Sequence, residues 1–140
     1  MIYPEPMVAP MRAELTSLGV KELRTAAEVA EALGNARDSA LVVVNSVCGC
    51  AARNARPAVA VALRHAVRPK QLFSVFAGQD IDATQAARGF FTGYRPSSPS
   101  IALLKNGRLV TMLERHQIEG RSADEIAEDL IRAFDTHCAA

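Results

Sequence analysis

Three absences narrow what this 140-residue chain can be. None of its apolar runs approaches the ~20 residues that a helix needs to cross a bilayer, so we expect no membrane span. The formal net charge is only +1, which favours neither nucleic-acid binding nor membrane binding. The cysteines number only three, and such a small, odd set does not form the disulfide framework of a secreted protein.

What is present is the composition of an ordinary globular protein, with 49% hydrophobic and 22% charged residues. The first residues lack the basic start and the long apolar stretch of a signal peptide. We therefore expect a single domain over residues 1–140, located in the reducing cytoplasm. In that compartment a close pair of cysteines indicates catalysis or metal binding more than a structural crosslink.

Acidic residues are absent from one long segment of the chain. No aspartate or glutamate lies between Asp38 and Asp80, whereas five cations fall in that range: Arg53, Arg56, Arg64, Arg68 and Lys70. Positive charges near a thiol favour its thiolate form, and they would attract an anionic thiol or peptide substrate. A solvated helix face that bears arginines accounts for the same pattern, and both interpretations can hold at once.

Two of the three cysteines lie in this segment, as the triplet Cys48-Gly49-Cys50. The triplet directly follows the apolar run from Ala40 to Val44, where a strand should end and a helix begin. A packed core needs one soft apolar group at a site, whereas thiol–disulfide exchange needs two thiols, one to attack and one to resolve the mixed disulfide. A helix N-terminus lowers the pKa of a thiol beside it. We therefore predict that Cys48 is the nucleophile and that Cys50, expected to be less exposed, is the resolving thiol.

The spacing of the two thiols carries a further expectation. Residues two apart in a helix point their Cβ atoms away from each other, so a disulfide between Cys48 and Cys50 would close a small, strained ring. Gly49 lacks a Cβ atom and makes the distortion less costly. Strain raises the reduction potential, which suits accepting or reshuffling a mixed disulfide more than driving deep reduction.

Apolar periodicity and capping signals predict alternating helices and strands. The first predicted helix runs through Val8, Met11, Leu15 and Leu18 and stops at Gly19, and the second begins at the capping box of Thr25 with Glu28 and buries Val29 and Leu33. The third begins at about Cys48 and is ended or kinked by Pro57, with Val59, Val61 and Leu63 beyond, and the fourth runs from Ile81 to Phe91 and is closed by Gly93. The last begins at the capping box of Ser122 with Glu125 and buries Ile126, Leu130, Ala133 and Phe134. The predicted strands are Leu41 to Val47, covered on both faces, Gln71 to Ala77, and the hairpin of Ser100 to Lys105 and Leu109 to Leu113 around Asn106-Gly107. This order predicts an α/β fold of the thioredoxin-like type, a central mixed β-sheet flanked by helices.

Pro99 is the second feature that this fold singles out. It comes just before the predicted strand that begins at Ser100, where a thioredoxin-like fold carries a cis proline beside the reactive cysteine. We expect the bond between Ser98 and Pro99 to be cis, and the backbone of Ser98 to pair with an extended client segment. Gly49, Ser98 and Pro99 are therefore candidate substrate-binding residues. An ordinary trans proline at a strand start is the alternative.

Other polar residues near the ends of elements have two interpretations each. His116 could shuttle a proton or be a surface residue, and Asn45 and Ser46 could bond near the thiols or merely end a strand. Cys138 could be a third redox partner or an idle thiol. A metal-binding module is an alternative in which Cys48 and Cys50, perhaps with His137 and Cys138, supply the ligands of a zinc ion. The chain lacks a second paired set of ligands, so we expect no metal.

Specific sequence blocks surround these residues along nearly the whole chain. The most specific are residues 42–51, which contain Cys-Gly-Cys, and residues 96–100, which contain Ser-Ser-Pro. Shorter ones are residues 10–15, 55–57, 75–80, 91–93, 103–105, 115–116, 118–120, 133–135 and 137–138. With these blocks the chain closely resembles the bacilliredoxin family of thioredoxin-like proteins.

The resemblance implies removal of bacillithiol, a low-molecular-weight thiol of some bacteria, from S-bacillithiolated client proteins. By that likeness Cys48 takes bacillithiol from the client, and Cys50 or a second bacillithiol then releases it. The implied partners are client proteins and the low-molecular-weight thiol, which acts as a co-substrate, and no cofactor, nucleic acid or membrane is required. The family has also been considered a disulfide isomerase, so a general isomerase or reductase is the alternative.

The likeness to ordinary thioredoxin is looser. The chain has no Cys-x-x-Cys spacing, no tryptophan, and no carboxylate in the strand before the cysteines. The proton acceptor for Cys50 is therefore open between water, the leaving thiolate and His116.

Overall fold

Five strands form one mixed sheet in the computed structural model, which describes residues 2–139. The strands are β1 (Lys21–Glu22), β2 (Ser39–Asn45), β3 (Gln71–Phe76), β4 (Ser100–Lys105) and β5 (Arg108–Leu113). Their order in the sheet is β1-β3-β2-β4-β5. β1 and β2 run parallel to β3, whereas β4 is antiparallel to β2 and β5 is antiparallel to β4. The central mixed sheet that the sequence predicts is therefore present.

Helices cover both faces of this sheet. They are α1 (Glu5–Thr16), α2 (Ala26–Gly34), α3 (Arg56–Ala62), α4 (Ile81–Arg88), α5 (Arg115–Ile118) and α6 (Ala123–His137), and a π-helical segment, Ala51–Ala55, leads into α3. Both predicted capping boxes are present and begin α2 and α6. No helix within residues 2–139 has the length and apolar character of a membrane span.

The core lies on both sides of β2, as predicted for a central strand. Leu41 and Val43 face the layer of α1, α3 and α6, whereas Val42 and Val44 face the layer of α2 and α4. All four side chains are at most 1% exposed. The apolar stripe predicted for the last helix is also buried: Ile126, Leu130, Ala133 and Phe134.

The hairpin prediction is confirmed at its turn. Asn106 and Gly107 have φ values of 52° and 80°, and a tight hairpin turn requires positive φ at both central positions. The second strand begins at Arg108, one residue earlier than predicted.

Several other predicted boundaries were wrong. β2 begins at Ser39, two residues earlier than predicted, and β3 ends at Phe76, one residue earlier than predicted. β2 ends at Asn45, because the backbone of Ser46 bonds to side chains instead of a neighbouring strand. α4 ends at Arg88, because the amides after it turn back to carbonyls three residues earlier and bring Phe91 into the core at 4% exposure. β1 and α5 were not predicted, since two and four residues are too few for a periodic pattern.

Of the two outcomes predicted for Pro57, the end of the helix is not found. The chain is helical from Gly49 to Ala62 and passes through Pro57 in the first turn of α3. A proline ring clashes with the carbonyl four residues before it and offers no N–H. The π-helical segment widens the preceding turn, and the N–H of Arg56 donates to the carbonyl of Ala51, five residues earlier. The widened turn accommodates the ring, so the helix continues.

Arg12 is a buried charge, 6% exposed, that ties α1 to the sheet. Its guanidinium contacts Glu5 at 2.7 Å, Glu22 at 2.8 Å and Asp80 at 2.6 Å, and it lies 5.1 Å from the centroid of the Phe76 ring. Burial alone would lower the pKa of Arg12, but hydrogen bonds to the three carboxylates raise that pKa above its usual value. The arginine therefore stays charged, as a buried cation can when it is paired.

Replacing Arg12 with leucine should lower the free energy of unfolding by about 3–5 kcal/mol, because two nearly buried carboxylates, Glu22 and Asp80, would lose their partner. Urea denaturation of the variant measures the change. Arg37→Leu is the control, since Arg37 is exposed and should change stability by less than about 0.5 kcal/mol. A loss below about 1 kcal/mol in Arg12→Leu would show that this cluster contributes little.

Candidate active site

The triplet lies at the carboxyl end of β2, in the middle of the sheet. β2 ends at Asn45, and the helical segment begins at Gly49. The start of β4 lies beside the end of β2, because Val44 pairs with Ser100 in the antiparallel ladder. This pairing brings the segment before β4 to the same end of the sheet as the thiols. The bond between Ser98 and Pro99 is cis, as predicted.

A buried arginine holds the link between β2 and the triplet. Arg56 is 3% exposed, and its Nη1 donates to Asn45 Oδ1 at 2.9 Å and to the carbonyl of Ser46 at 2.8 Å. Its Nε donates to Glu14 at 3.0 Å, which balances the charge. Asn45 accepts the N–H of Ser46 and donates to the carbonyl of Met11. Asn45 therefore both ends the strand and fixes the residues that lead to the thiols.

Cys48 receives polar support from this link. Its Sγ lies 3.1 Å from the hydroxyl of Ser46, and its own N–H donates to that hydroxyl at 3.4 Å. Burial alone would raise the pKa of the Cys48 thiol. The hydroxyl of Ser46, the backbone N–H groups of Ala51 and Cys50, and the positive charge of Arg115 outweigh burial and lower the pKa below its usual value. Cys48 therefore has increased thiolate character.

Cys50 ionises less readily than Cys48. Burial and the neighbouring Cys48 raise the pKa of Cys50, the guanidinium of Arg115 opposes them, and the carboxylate of Glu119 raises it further. Both cysteines are half-buried, so the lower exposure expected for Cys50 is not seen. The two thiols differ in their charged and hydrogen-bonded surroundings instead.

Sequence reasoning missed the part that Arg115 takes in this site. Arg115 begins α5, and its Nη2 lies 3.9 Å from Sγ of Cys50. The same guanidinium donates to Glu119 at 2.8 Å and to the carbonyl of Ser98 at 3.2 Å. The backbone N–H of Arg115 donates to the hydroxyl of Ser97 at 3.4 Å. One side chain thus joins the thiols to the cis-proline segment. Arg115 is 65 residues from Cys50, so no local pattern indicates the contact.

His116 has no such contact. Its side chain is 73% exposed, and its nearest acidic partner is Glu114 at 3.9 Å. No hydrogen bond joins His116 to either thiol among residues 2–139. The geometry therefore gives no support to a proton shuttle through His116.

Cys138 lies at the opposite end of β2 from the triplet. Its thiol contacts Ser39, the first residue of that strand, and burial raises its pKa. A strand of this length separates its two ends by about 20 Å. The carbonyl of His137 accepts a hydrogen bond from Lys105 at 2.9 Å, also at this far end. The four ligands of the metal alternative are therefore not brought together, and residues 2–139 contain no group of three or more potential ligands.

The surroundings of the thiols predict selective alkylation. At neutral pH iodoacetamide should label Cys48 before Cys50, because the pKa of Cys48 is lowered and that of Cys50 is raised. Ser46→Ala should slow the labelling of Cys48 at pH 7 about tenfold, the effect of losing a hydrogen bond to a charged group worth about 1.5 kcal/mol. Peptide mass spectrometry over a pH series measures both rates. Ser17→Ala, at an exposed helix end, is the control, and faster labelling of Cys50 would contradict the prediction.

Known sequences resemble this chain over nearly its whole length. A family model described as disulphide isomerase matches residues 3–138. A bacilliredoxin of Koribacter versatilis is 52% identical over 139 residues, which cover 99% of this chain and 96% of that protein. A bacilliredoxin of Salinibacter ruber is 54% identical over 141 residues, which cover 99% of this chain and 82% of that protein.

Solved structures confirm the predicted fold. Oxidised thioredoxin from Plasmodium falciparum superposes with a TM-score of 0.58 at 16% identity, covering 86% of this chain and 99% of that one. Thioredoxin from Malassezia sympodialis superposes with a TM-score of 0.57 at 18% identity, covering 86% of this chain and 91% of that one. The fold is thioredoxin-like. This fold, together with the relatives that match over nearly the whole chain, identifies the chain as a thiol–disulfide oxidoreductase. The chain belongs to the bacilliredoxin family.

Proposed function

We propose that this chain removes bacillithiol from S-bacillithiolated client proteins, with Cys48 as the nucleophile and Cys50 as the resolving thiol. The observation that carries the proposal is the pair of thiols just after the carboxyl end of β2, where Sγ of Cys48 lies 3.1 Å from the hydroxyl of Ser46, a contact that favours the thiolate of Cys48. The nucleophile in disulfide exchange is the thiolate, so a thiol with a lowered pKa attacks first. The bacilliredoxin relatives support bacillithiol as the group transferred.

The first step exchanges one disulfide for another. The Cys48 thiolate attacks the bacillithiol sulfur of the mixed disulfide, a bond forms between these two sulfurs, and the client cysteine leaves as a thiolate. No oxidant or reductant is needed, because one disulfide breaks as one forms. Cys50, or a second bacillithiol, then attacks Sγ of Cys48 and releases bacillithiol. Water or the leaving thiolate takes the proton of Cys50.

We assign client binding to Gly49, Ser98 and Pro99. Gly49 lies between the two cysteines in the chain, and Ser98 and Pro99 lead into β4 at the same end of the sheet. An extended client segment can pair with backbone exposed at such a position. The partners are then client proteins and a low-molecular-weight thiol, without a metal or cofactor, in a reducing cytoplasm where these cysteines stay available.

A resolving-thiol variant tests the proposal. Cys50→Ala, incubated with an S-bacillithiolated test protein, should carry bacillithiol on Cys48 while the test protein is released as a free thiol, because the adduct cannot be resolved internally. Intact-protein and peptide mass spectrometry measure both products. Cys138→Ala in the same background is the matched control, since Cys138 lies at the far end of β2 and should not alter the transfer.

Two other outcomes would count against this function. If the test protein itself becomes disulfide-linked to Cys48, attack has occurred on the client sulfur, and a general isomerase or reductase is favoured. If neither adduct forms and Cys48→Ala behaves like Cys50→Ala, the assignment of the nucleophile is wrong.

The spacing of the thiols also predicts the redox potential. A disulfide between Cys48 and Cys50 should have a reduction potential clearly less negative than the about −270 mV of thioredoxin, because the ring is strained. Equilibration with glutathione buffers, followed by trapping of free thiols, measures it. A potential as low as that of thioredoxin would mean that the ring is not strained and that the centre suits deep reduction.

A further inference from the structure

One cation of the acid-free segment between Asp38 and Asp80 lies against the glycine of the triplet. That cation is Arg53, an exposed residue of the π-helical segment. The other four are bound elsewhere or distant: Arg56 is buried and paired with Glu14, Arg68 donates to the carbonyl of Leu63, Lys70 pairs with Asp38, and Arg64 lies beyond the end of α3. Of the five cations in this segment, only Arg53 is therefore placed to attract an anionic substrate to the triplet.

The guanidinium of Arg53 lies against Gly49, between the two cysteines. A Cβ atom built on Gly49 would be 2.5 Å from Nη2 and 3.0 Å from Cζ of Arg53, closer than real side-chain atoms approach. The glycine thus leaves the space that the guanidinium fills. No hydrogen bond or ion pair joins this guanidinium to any part of residues 2–139. Its donors remain available to a ligand bound at the thiols.

Arg115, the other cation at the site, is already engaged. Glu119 bonds to it at 2.8 Å and the carbonyl of Ser98 accepts from it at 3.2 Å. The carboxylate of Glu119 opposes negative charge on that side of Cys50. Among the described residues at this site, Arg53 is therefore the cation whose guanidinium has no protein partner.

We propose that Arg53 is a specificity-determining residue that binds a carboxylate of the low-molecular-weight thiol carried in the mixed disulfide. The inference rests on the function proposed above, in which that thiol becomes attached to Cys48. Cys48 adjoins Gly49 in the chain, so a small thiol attached to Cys48 lies next to the residue that the guanidinium covers, and a carboxylate of that thiol can fold back to it. The planar guanidinium fork matches a carboxylate with two parallel hydrogen bonds.

Arg53 changes no bond in the transfer. The thiolate of Cys48 still displaces the client thiolate from the sulfur of the small thiol, one disulfide breaking as another forms. Arg53 favours those small thiols that carry a carboxylate, both in the approach and in the adduct. It is expected to discriminate among small thiols, not among clients.

The test uses three mixed disulfides of one test protein that differ in charge but little in size. The small thiols are mercaptopropionate, an anion; mercaptoethanol, which is neutral; and cysteamine, a cation. In a Cys50→Ala, Cys138→Ala parent, the rate of client thiol release reports attack by Cys48 alone. Arg53→Gln should lower the ratio of the anionic to the neutral rate about three- to tenfold and should raise the ratio of the cationic to the neutral rate. Arg53→Lys should restore part of the anionic preference, and added salt should weaken it.

The rate ratio separates specificity from reactivity, since a change in the ionisation of Cys48 alters all three rates alike. Arg64→Gln is the matched control, because it removes the same charge from the same acid-free segment 11 residues further along, about 16 Å away at the rise of a helix. Its ratios should stay within about twofold of the parent. Equal slowing of all three disulfides by Arg53→Gln, or an equal change of ratio in Arg64→Gln, would overturn the inference. Failure of the parent to react with any of them would overturn the proposed function, and this inference with it.

Discussion

The buried guanidinium of Arg56 is the constraint on which the active-site geometry depends. A charge buried in a protein must be paired and hydrogen-bonded, or its burial is strongly unfavourable. Arg56 meets this condition through Glu14, Asn45 and the carbonyl of Ser46. These bonds determine where the strand ends and how the link to the helix runs. The hydroxyl of Ser46 is thereby held beside Cys48, so the ionisation of the thiol depends on an arginine that does not contact it.

Local signals made much of this fold predictable. The capping box of Thr25 with Glu28 spans four residues, and the turn at Asn106 and Gly107 needs only two, so both could be identified from the sequence alone. Contacts between distant segments could not. Two of the three carboxylates that surround Arg12, Glu22 and Asp80, come from other segments, and nothing in the sequence of α1 indicates them. Such partners become neighbours only when the order and register of the strands are known.

The same division applies to the candidate site. The thiol pair was predictable because Cys48 and Cys50 are adjacent to a strand end, and the likeness of the fold made the cis bond at Pro99 predictable. The asymmetry between the thiols was expected from exposure, yet the hydroxyl of Ser46 outweighs burial at Cys48, whereas burial and the neighbouring Cys48 raise the pKa of Cys50 and Glu119 raises it further. Glu119 follows the sheet hairpin in the chain, so its influence on Cys50 is a property of the tertiary fold.

The π-helical segment Ala51–Ala55 also sets the angular phase between the two ends of its helix. A wide turn of this kind contains one residue more than a regular α-helical turn. Each residue advances an α-helix by about 100°, so the extra residue rotates the Cys48–Cys50 end relative to the core-facing side of α3. Loss of a single residue here would leave a longer regular helix and an intact core, but the thiols would point in another direction. The extra residue of the π-helical turn thus sets the direction of the thiols independently of how α3 packs on the core. The same triplet at the start of a regular α-helix would point in a different direction.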